Sequence, residues 1–258
     1  MTILSVSPKL MPQTIIRQAV VLVGGRGTRL GALTQEVPKP MLPVGGRPFL
    51  EYQVAWLRAH GVTQILFCTG YLSRVVEQHF GDGRKFGVWA NYSVEAEPAG
   101  TGGCLRLART RLEDCFFALN GDTIFECDLP GLAGALGADP QALGCVALRE
   151  VEDTARYGSV ALEQDRIRRF AEKGNSGRGF INGGVYCLRR AAVELLPPGP
   201  SSVERDLFPQ LAAGSQLLGK PAFGYFIDIG LPETLGQAQA ELPGWLRKLE
   251  SQQAGLSK

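Results

Sequence analysis

Short apolar runs and amphipathic stretches alternate through the first half of the chain. Ala19 to Val23 is an unbroken apolar run with the length and β-branched content of a buried parallel strand. Pro48 to His60 reads as a helix: Leu50, Val54 and Leu57 share one face, Pro48 fits the first turn and Gly61 stops it. Thr63 to Thr69 is a second strand, followed by a turn at Gly70-Tyr71, and Leu72 to Phe80 is a short helix closed by Gly81. Phe86 to Val94 has strand character, Gly102 to Arg111 has helical character, and Cys115 to Leu119 is another buried strand. This alternation predicts an α/β fold with a doubly wound, mostly parallel (Rossmann-like) sheet.

The second half has a different texture. Leu143 to Arg149 and Phe180 to Leu188 read as strands, and Gly158 to Leu162 with Ile167 to Ala171 flank Glu163-Gln164-Asp165-Arg166 as a hairpin. Ser202 opens a helix expected to reach Ala213, with Glu204 and Asp206 in its early turns. Tyr225 to Ile229 is a last short strand, and Pro232 starts a helix expected to end near Glu241, before an amphipathic or frayed tail. The stretch Pro38 to Pro43 holds three prolines and is expected to be stiff and non-helical.

A length of 258 residues allows one large α/β domain or a domain with a closely packed lobe. A net charge of +2 gives no sign of a polyanionic partner such as nucleic acid. The six cysteines show no C-x-x-C spacing and mostly sit in strand-like runs, which predicts reduced core thiols in a cytoplasmic protein. No apolar stretch of membrane-spanning length and no secretory h-region are present, so neither a membrane nor a secreted location is expected.

The chemistry concentrates where the first strand ends. Val23 runs into Gly24-Gly25-Arg26-Gly27-Thr28-Arg29, with Lys39-Pro40 close behind. Glycines let the backbone approach a ligand, free N–H groups in such a turn favour anions, and Arg29 and Lys39 add positive charge. A P-loop is excluded because no glycine-lysine-hydroxyl triplet follows, and a dinucleotide fingerprint fails because Leu30 stands where its third glycine is needed. Read alone, the stretch is a triphosphate cradle or an ordinary glycine turn. Asp122, after a buried strand, could be a turn residue; Asp228, inside an apolar run, needs a partner. Brought together, the two would suit Mg²⁺.

The pattern G-G-x-G-T-R-L followed by Lys39-Pro40 resembles the sugar-1-phosphate nucleotidyltransferases. With Gly46-Arg47-Pro48-Phe49-Leu50, Gly100-Thr101-Gly102-Gly103, Asn120-Gly121-Asp122-Thr123, Tyr157-Gly158, Glu172-Lys173 and the late Asp228-Ile229-Gly230, it looks most like the D-glycero-D-manno-heptose 1-phosphate guanylyltransferases of that family. The resemblance spans residues 17 to 240 and implies transfer of a nucleotide from an NTP, with GTP favoured, to a sugar 1-phosphate. The organisation of the chain reads as a leader over 1–13, a nucleotide-binding half over 14–125, a sugar-phosphate-binding half over 126–230 as a β-rich lobe, and a C-terminal helix and tail over 231–258, all in one continuous fold. Catalytic roles fall on Arg29, Lys39 and Lys173. Nucleotide binding falls on Val23, Gly24, Gly25, Gly27, Thr28, Tyr71, Glu95, Gly100, Thr101 and Asn120, with Glu95 at the base edge and the glycines at 100, 102 and 103 admitting a flat ring. Sugar-phosphate binding falls on Tyr157, Gly158, Glu172, Lys173, Asn182, Gly183 and Glu204, and Mg²⁺ on Asp122 and Asp228. Val23 and Gly183 stand where the family more often has alanine. A homodimer is compatible with this reading. Uridylyl or thymidylyl transfer, a hexose or mannose acceptor, a non-catalytic nucleotide-sugar sensor and a nicotinamide-linked oxidoreductase are the alternatives.

Overall fold

The computed structural model describes residues 15–25, 27–155, 158–170 and 177–256. Strand β1 (Gln18–Leu22) runs into a left-handed Gly27 and a 3-10 segment, Thr28–Thr34. The proline-rich stretch is not wholly non-helical: Lys39–Met41 forms a 3-10 turn, with Pro40 in its first residues, where a missing N–H leaves nothing unpaired. A short hairpin of β2 (Pro43–Val44) and β3 (Arg47–Pro48) leads into α1 (Phe49–Ala59). Then come β4 (Gln64–Thr69), α2 (Ser73–Phe80), β5 (Trp89–Val94), α3 (Gly100–Ala108), β6 (Cys115–Asn120) and β7 (Thr123–Phe125). The second half holds α4 (Leu129–Ala138), β8 (Gly144–Val151), β9 (Val160–Glu163), β10 (Arg166–Phe170), β11 (Gly179–Arg189) and α5 (Arg190–Val193). It closes with α6 (Phe208–Ala213), β12 (Leu217–Ala222), β13 (Phe226–Asp228) and α7 (Pro232–Leu256).

Nine strands form one sheet in the order β5-β4-β1-β6-β11-β8-β12-β10-β9. The first four are mutually parallel, because α1, α2 and α3 each supply the crossover that parallel neighbours need. Strand β11 then joins β6 antiparallel, and beyond it only β8 and β12 run parallel. The sheet is therefore mixed, and the expectation of a mostly parallel sheet holds for its first half alone. The second half contains direct returns, such as the β9–β10 hairpin, that force antiparallel pairing. Strands β7 and β13 pair separately, with Asp228 opposite Thr123.

Alternate residues of each strand serve opposite faces of the sheet. Ala19, Val21, Ile65 and Phe67 enter a core closed by α1, α2, α4 and α7. Val20, Leu66, Phe116 and Ala118 enter a second core closed by α3, α5 and α6. Both faces are covered, which explains why these strands read as continuous apolar runs.

Four sequence expectations need correction. The segment expected as one helix from Ser202 to Ala213 is a π turn, Val203–Leu207, followed by α6. The helix expected over Gly102 to Arg111 is α3 followed by a 3-10 turn, Arg109–Arg111. The strand expected from Phe86 starts later, after a 3-10 turn, Arg84–Phe86. The last helix does not end near Glu241 but continues through Pro243 to Leu256.

Candidate active site

The carboxyl ends of β1, β4 and β6 open into a cavity of about 670 Å³. Ligands collect at this edge of such sheets because strands end there and loops diverge. Val23, Gly24, Gly25 and Gly27 line it from the loop after β1, and Lys39 from the 3-10 turn behind that loop. Tyr71 follows β4; Glu95, Gly100 and Thr101 follow β5; Asn120 and Asp122 form the corner after β6. Thr28 and Arg29 sit exposed on the adjoining 3-10 segment and do not line the cavity. Gly158, Asn182, Gly183, Glu204 and Asp228 also lie outside its lining. Tyr157, Glu172, Lys173 and the leader over 1–13 lie outside the described residues.

Lys39 and the two aspartates form the charged centre. The Lys39 ammonium donates to Asp122 Oδ2 at 2.5 Å, and the Thr123 hydroxyl donates to Asp122 Oδ1 at 3.1 Å. The Ile229 N–H donates to the Asp122 carbonyl at 2.9 Å, which holds Asp228 on the neighbouring strand beside Asp122. Asp228 Oδ1 accepts from the Gly230 N–H at 2.8 Å. A Cβ on Gly230 would stand 2.6 Å from that oxygen and 3.6 Å from Lys39 Nζ, so the ammonium is near both carboxylates. Among the described residues no group of three or more His, Cys, Asp or Glu converges anywhere. Two hard carboxylates side by side, only one of them paired with Lys39, leave net negative charge that fits Mg²⁺, which binds through one or two carboxylates and takes its other ligands from water and phosphate oxygens.

Glu95 is wedged between two glycines. A Cβ at Gly24 or at Gly70 would stand 2.5 Å from Glu95 Oε1. Gly24 therefore makes room for a side chain as well as lining the cavity. Glu95 Oε2 accepts from the Ala99 N–H at 3.0 Å, so half of the carboxylate is committed to its own loop. Burial pushes the Glu95 carboxyl up, and the Ala99 N–H opposes this. Cys104 also lines the cavity; its contact with Cys68 and its burial push that thiol well up, so it stays neutral.

The expectation for Gly100, Gly102 and Gly103 changes. A Cβ on Gly100 would stand 2.4 Å from the Ser201 carbonyl, on Gly102 2.7 Å from Ser201 Oγ, and on Gly103 2.7 Å from the Gly199 carbonyl. These glycines admit the 199–201 segment on one side, and of the three only Gly100 lines the cavity. The Thr101 hydroxyl donates to Glu204 Oε2 at 2.8 Å and accepts from the Val203 N–H at 2.9 Å. Thr101 is thus bound to Glu204, from the half of the chain assigned to the sugar.

Asn182 donates to the Tyr186 hydroxyl at 2.9 Å, and that hydroxyl donates to Asn120 Oδ1 at 3.5 Å. The β11 register slips between Asn182 and Tyr186, where Gly184 adopts a positive φ of 74°. Gly183 is a packing glycine: a Cβ there would stand 2.3 Å from the Phe125 ring. Val23 finds its room the same way, because a Cβ on Gly121 would stand 2.6 Å from Val23 Cγ1.

Gln53 was not among the expected site residues. It is fully buried on α1, and its side-chain N–H₂ donates to the carbonyls of Asn120 and Thr123. The available signal was a polar residue at the core-facing spacing of Leu50, Val54 and Leu57. His79, given no chemistry from the sequence, pairs with Glu51 at 2.6 Å, away from the cavity.

The model of the nucleotidyl transferase family matches residues 18–243. A D-glycero-alpha-D-manno-heptose 1-phosphate guanylyltransferase of Aneurinibacillus thermoaerophilus is 37% identical, covering 89% of this chain and 100% of its own length. A mannose-1-phosphate guanyltransferase of Schizosaccharomyces pombe is also 37% identical, over 84% of this chain but 61% of its own length. The crystal structure of HddC from Yersinia pseudotuberculosis complexed with GMP-PN superposes with a TM-score of 0.75 at 30% identity, covering 88% of this chain and 99% of that one.

Proposed function

The chain belongs to the nucleotidyl transferase family, and from that membership we propose that it makes a nucleotide-sugar and pyrophosphate from GTP and D-glycero-D-manno-heptose 1-phosphate. The observation that carries this reading is the meeting of Lys39, Asp122 and the half-buried Glu95 around one cavity at the carboxyl edge of the sheet. An oxygen of the sugar phosphate attacks the α-phosphorus in line and pyrophosphate leaves. No nucleophilic side chain is required, so the work of the site is positioning and charge neutralisation. The neutral Cys104 thiol fits that requirement.

The backbone of 24–27 receives the triphosphate, and Lys39 moves its charge from Asp122 toward the phosphates. Arg29, exposed and without a side-chain partner among the described residues, is free to meet the leaving pyrophosphate. Lys173 meets the sugar phosphate as a point charge. Mg²⁺ held by Asp122 and Asp228 would supply charge neutralisation on the phosphates. Glu95 reads the base: guanine presents two adjacent donors on its pairing edge, which an acceptor-only carboxylate can meet, whereas uracil and thymine present an N–H between two carbonyls. Glu204, held by Thr101, and Asn182, joined to Asn120 through Tyr186, support a sugar site next to the nucleotide. Five of the six free cysteines are buried, which fits a reducing compartment, and no described helix is long and apolar enough to cross a membrane. Mannose 1-phosphate is the second acceptor to consider, because longer mannose-1-phosphate guanyltransferases match the same region.

Pyrophosphate release tests the reaction. Mixing the protein with GTP, Mg²⁺ and the heptose 1-phosphate should release pyrophosphate together with a GDP-sugar. Release of phosphate alone, or no release, would contradict it.

A further inference from the structure

The corner Asn120-Gly121-Asp122-Thr123 is fastened from three directions. The Gly121 N–H donates to the Leu22 carbonyl at 3.0 Å, which ties the corner to the end of β1. The Asp122 carbonyl accepts from Ile229, which ties it to the strand carrying Asp228. The third fastening is Gln53, whose side-chain N–H₂ reaches the carbonyls at the two ends of the corner, Asn120 at 2.7 Å and Thr123 at 2.5 Å. One nitrogen can serve both carbonyls only when the corner holds its present shape.

The other end of the same amide is unusual. Gln53 Oε1 is buried and has no hydrogen-bond partner among the described residues. A buried acceptor left unpaired is destabilising, so packing alone gives no reason for an amide here. The nearby residues of α1, Leu50, Val54 and Leu57, are apolar. The donor half of the amide is what the site requires, and its unpaired acceptor is the consequence.

We propose that Gln53 is a positioning residue for the reaction: by clamping the carbonyls on either side of Gly121-Asp122, it aims the Asp122 carboxylate, and through Ile229 the Asp228 carboxylate, at the divalent cation. This rests on the nucleotidyl-transfer reading. Gln53 touches neither substrate nor metal. Its removal loosens the pair of carboxylates without removing either one, so metal affinity falls while the nucleotide cradle at 24–27 is untouched.

The test uses the full chain with Gln53→Met, which keeps length and volume and removes the donor. Three readouts are taken: thermal unfolding, Mn²⁺ binding in the presence of GTP followed by the EPR signal of free Mn²⁺, and kcat with GTP KM as Mg²⁺ is varied. Residues that orient metal ligands typically change metal affinity or activity by about 10–100-fold, and the same range is expected here for Mn²⁺ affinity. The melting temperature should fall only modestly, because the Asn120 and Thr123 carbonyls lose their donor while the unpaired Oε1 goes with it. At low Mg²⁺ kcat should fall, and a tenfold rise in Mg²⁺ (roughly the lower end of that range) should recover most of it. GTP KM at saturating Mg²⁺ should stay near wild type. Gln53→Asn, which keeps a polar amide but is too short to reach both carbonyls, carries the same expectation if the Met variant does not fold. Variants with wild-type Mn²⁺ affinity, or a kcat loss that extra Mg²⁺ does not relieve, would overturn the proposal while leaving the proposed reaction intact. A wild type that binds Mn²⁺ but releases no pyrophosphate would overturn the reaction instead.

Discussion

Asp122 and Lys39 meet as an ion pair that is only partly exposed, with 15% of the lysine side chain and 33% of the aspartate side chain open to solvent. Asp228, by contrast, spends one oxygen on a backbone N–H and is not the lysine's direct partner. Asp228→Asn should therefore leave the fold intact, because shape and the acceptor for Gly230 are kept. Turnover should drop by about 100-fold or more, the scale of losing ~3 kcal/mol of charge stabilisation. Near-normal Mg²⁺-dependent turnover would remove Asp228 from the site. Glu95 gives a second test with a defined sign. Its folded pKa is raised from the usual value near 4.5 by burial. The neutral form thus favours the fold below that value, and the advantage is lost as pH rises through the folded pKa. Glu95→Gln should accordingly melt higher than wild type near pH 8, with the gap closing toward pH 4.5. Melting curves across pH check this, and a gap that widens on acidification contradicts it.

At the scale of elements, the parallel half was legible because each strand is an unbroken apolar run and each crossover helix carries an apolar stripe. Strand β12 contains Gly219 and Pro221, and α4 contains Pro130, Gly131, Gly134 and Gly137, so neither pattern announces its element. The final helix passes Pro243 because tertiary contacts hold it: Gln239 accepts from the Gly45 N–H at 2.9 Å and donates to the Pro43 carbonyl at 2.6 Å. The lining of the cavity was legible where it comes from local loops, as with Val23, Gly24, Gly25 and Gly27 and with Asn120 and Asp122. The site was not legible where meaning comes from packing across the fold, as with Gln53 under the β6–β7 corner or Ser201 against α3. Gly183 belongs to this second kind. Its alanine variant meets the buried Phe125 ring, and the expected destabilisation is about 1–3 kcal/mol. Phe125→Leu in the same chain should recover part of that loss, since contacting residues do not add independently. Denaturant unfolding of both single variants and the double variant measures the coupling; additive losses would mean the ring is not what Gly183 makes room for.

Across the whole molecule, connected elements join the cavity to the residues proposed for the sugar phosphate. The parallel strands end in the cavity, and β11 brings Asn182 and Tyr186 to Asn120 from the other half of the chain. The same continuity joins Thr101 to Glu204. This arrangement accounts for a reaction in which two phosphorylated substrates must meet at one phosphorus. Steady-state turnover with GTP, UTP or dTTP, each paired with D-glycero-D-manno-heptose, mannose or glucose 1-phosphate and read as pyrophosphate, tests that account most directly. The highest kcat/KM should fall on GTP with the heptose 1-phosphate. A preference for UTP or dTTP, or for a hexose 1-phosphate with GTP, would contradict it.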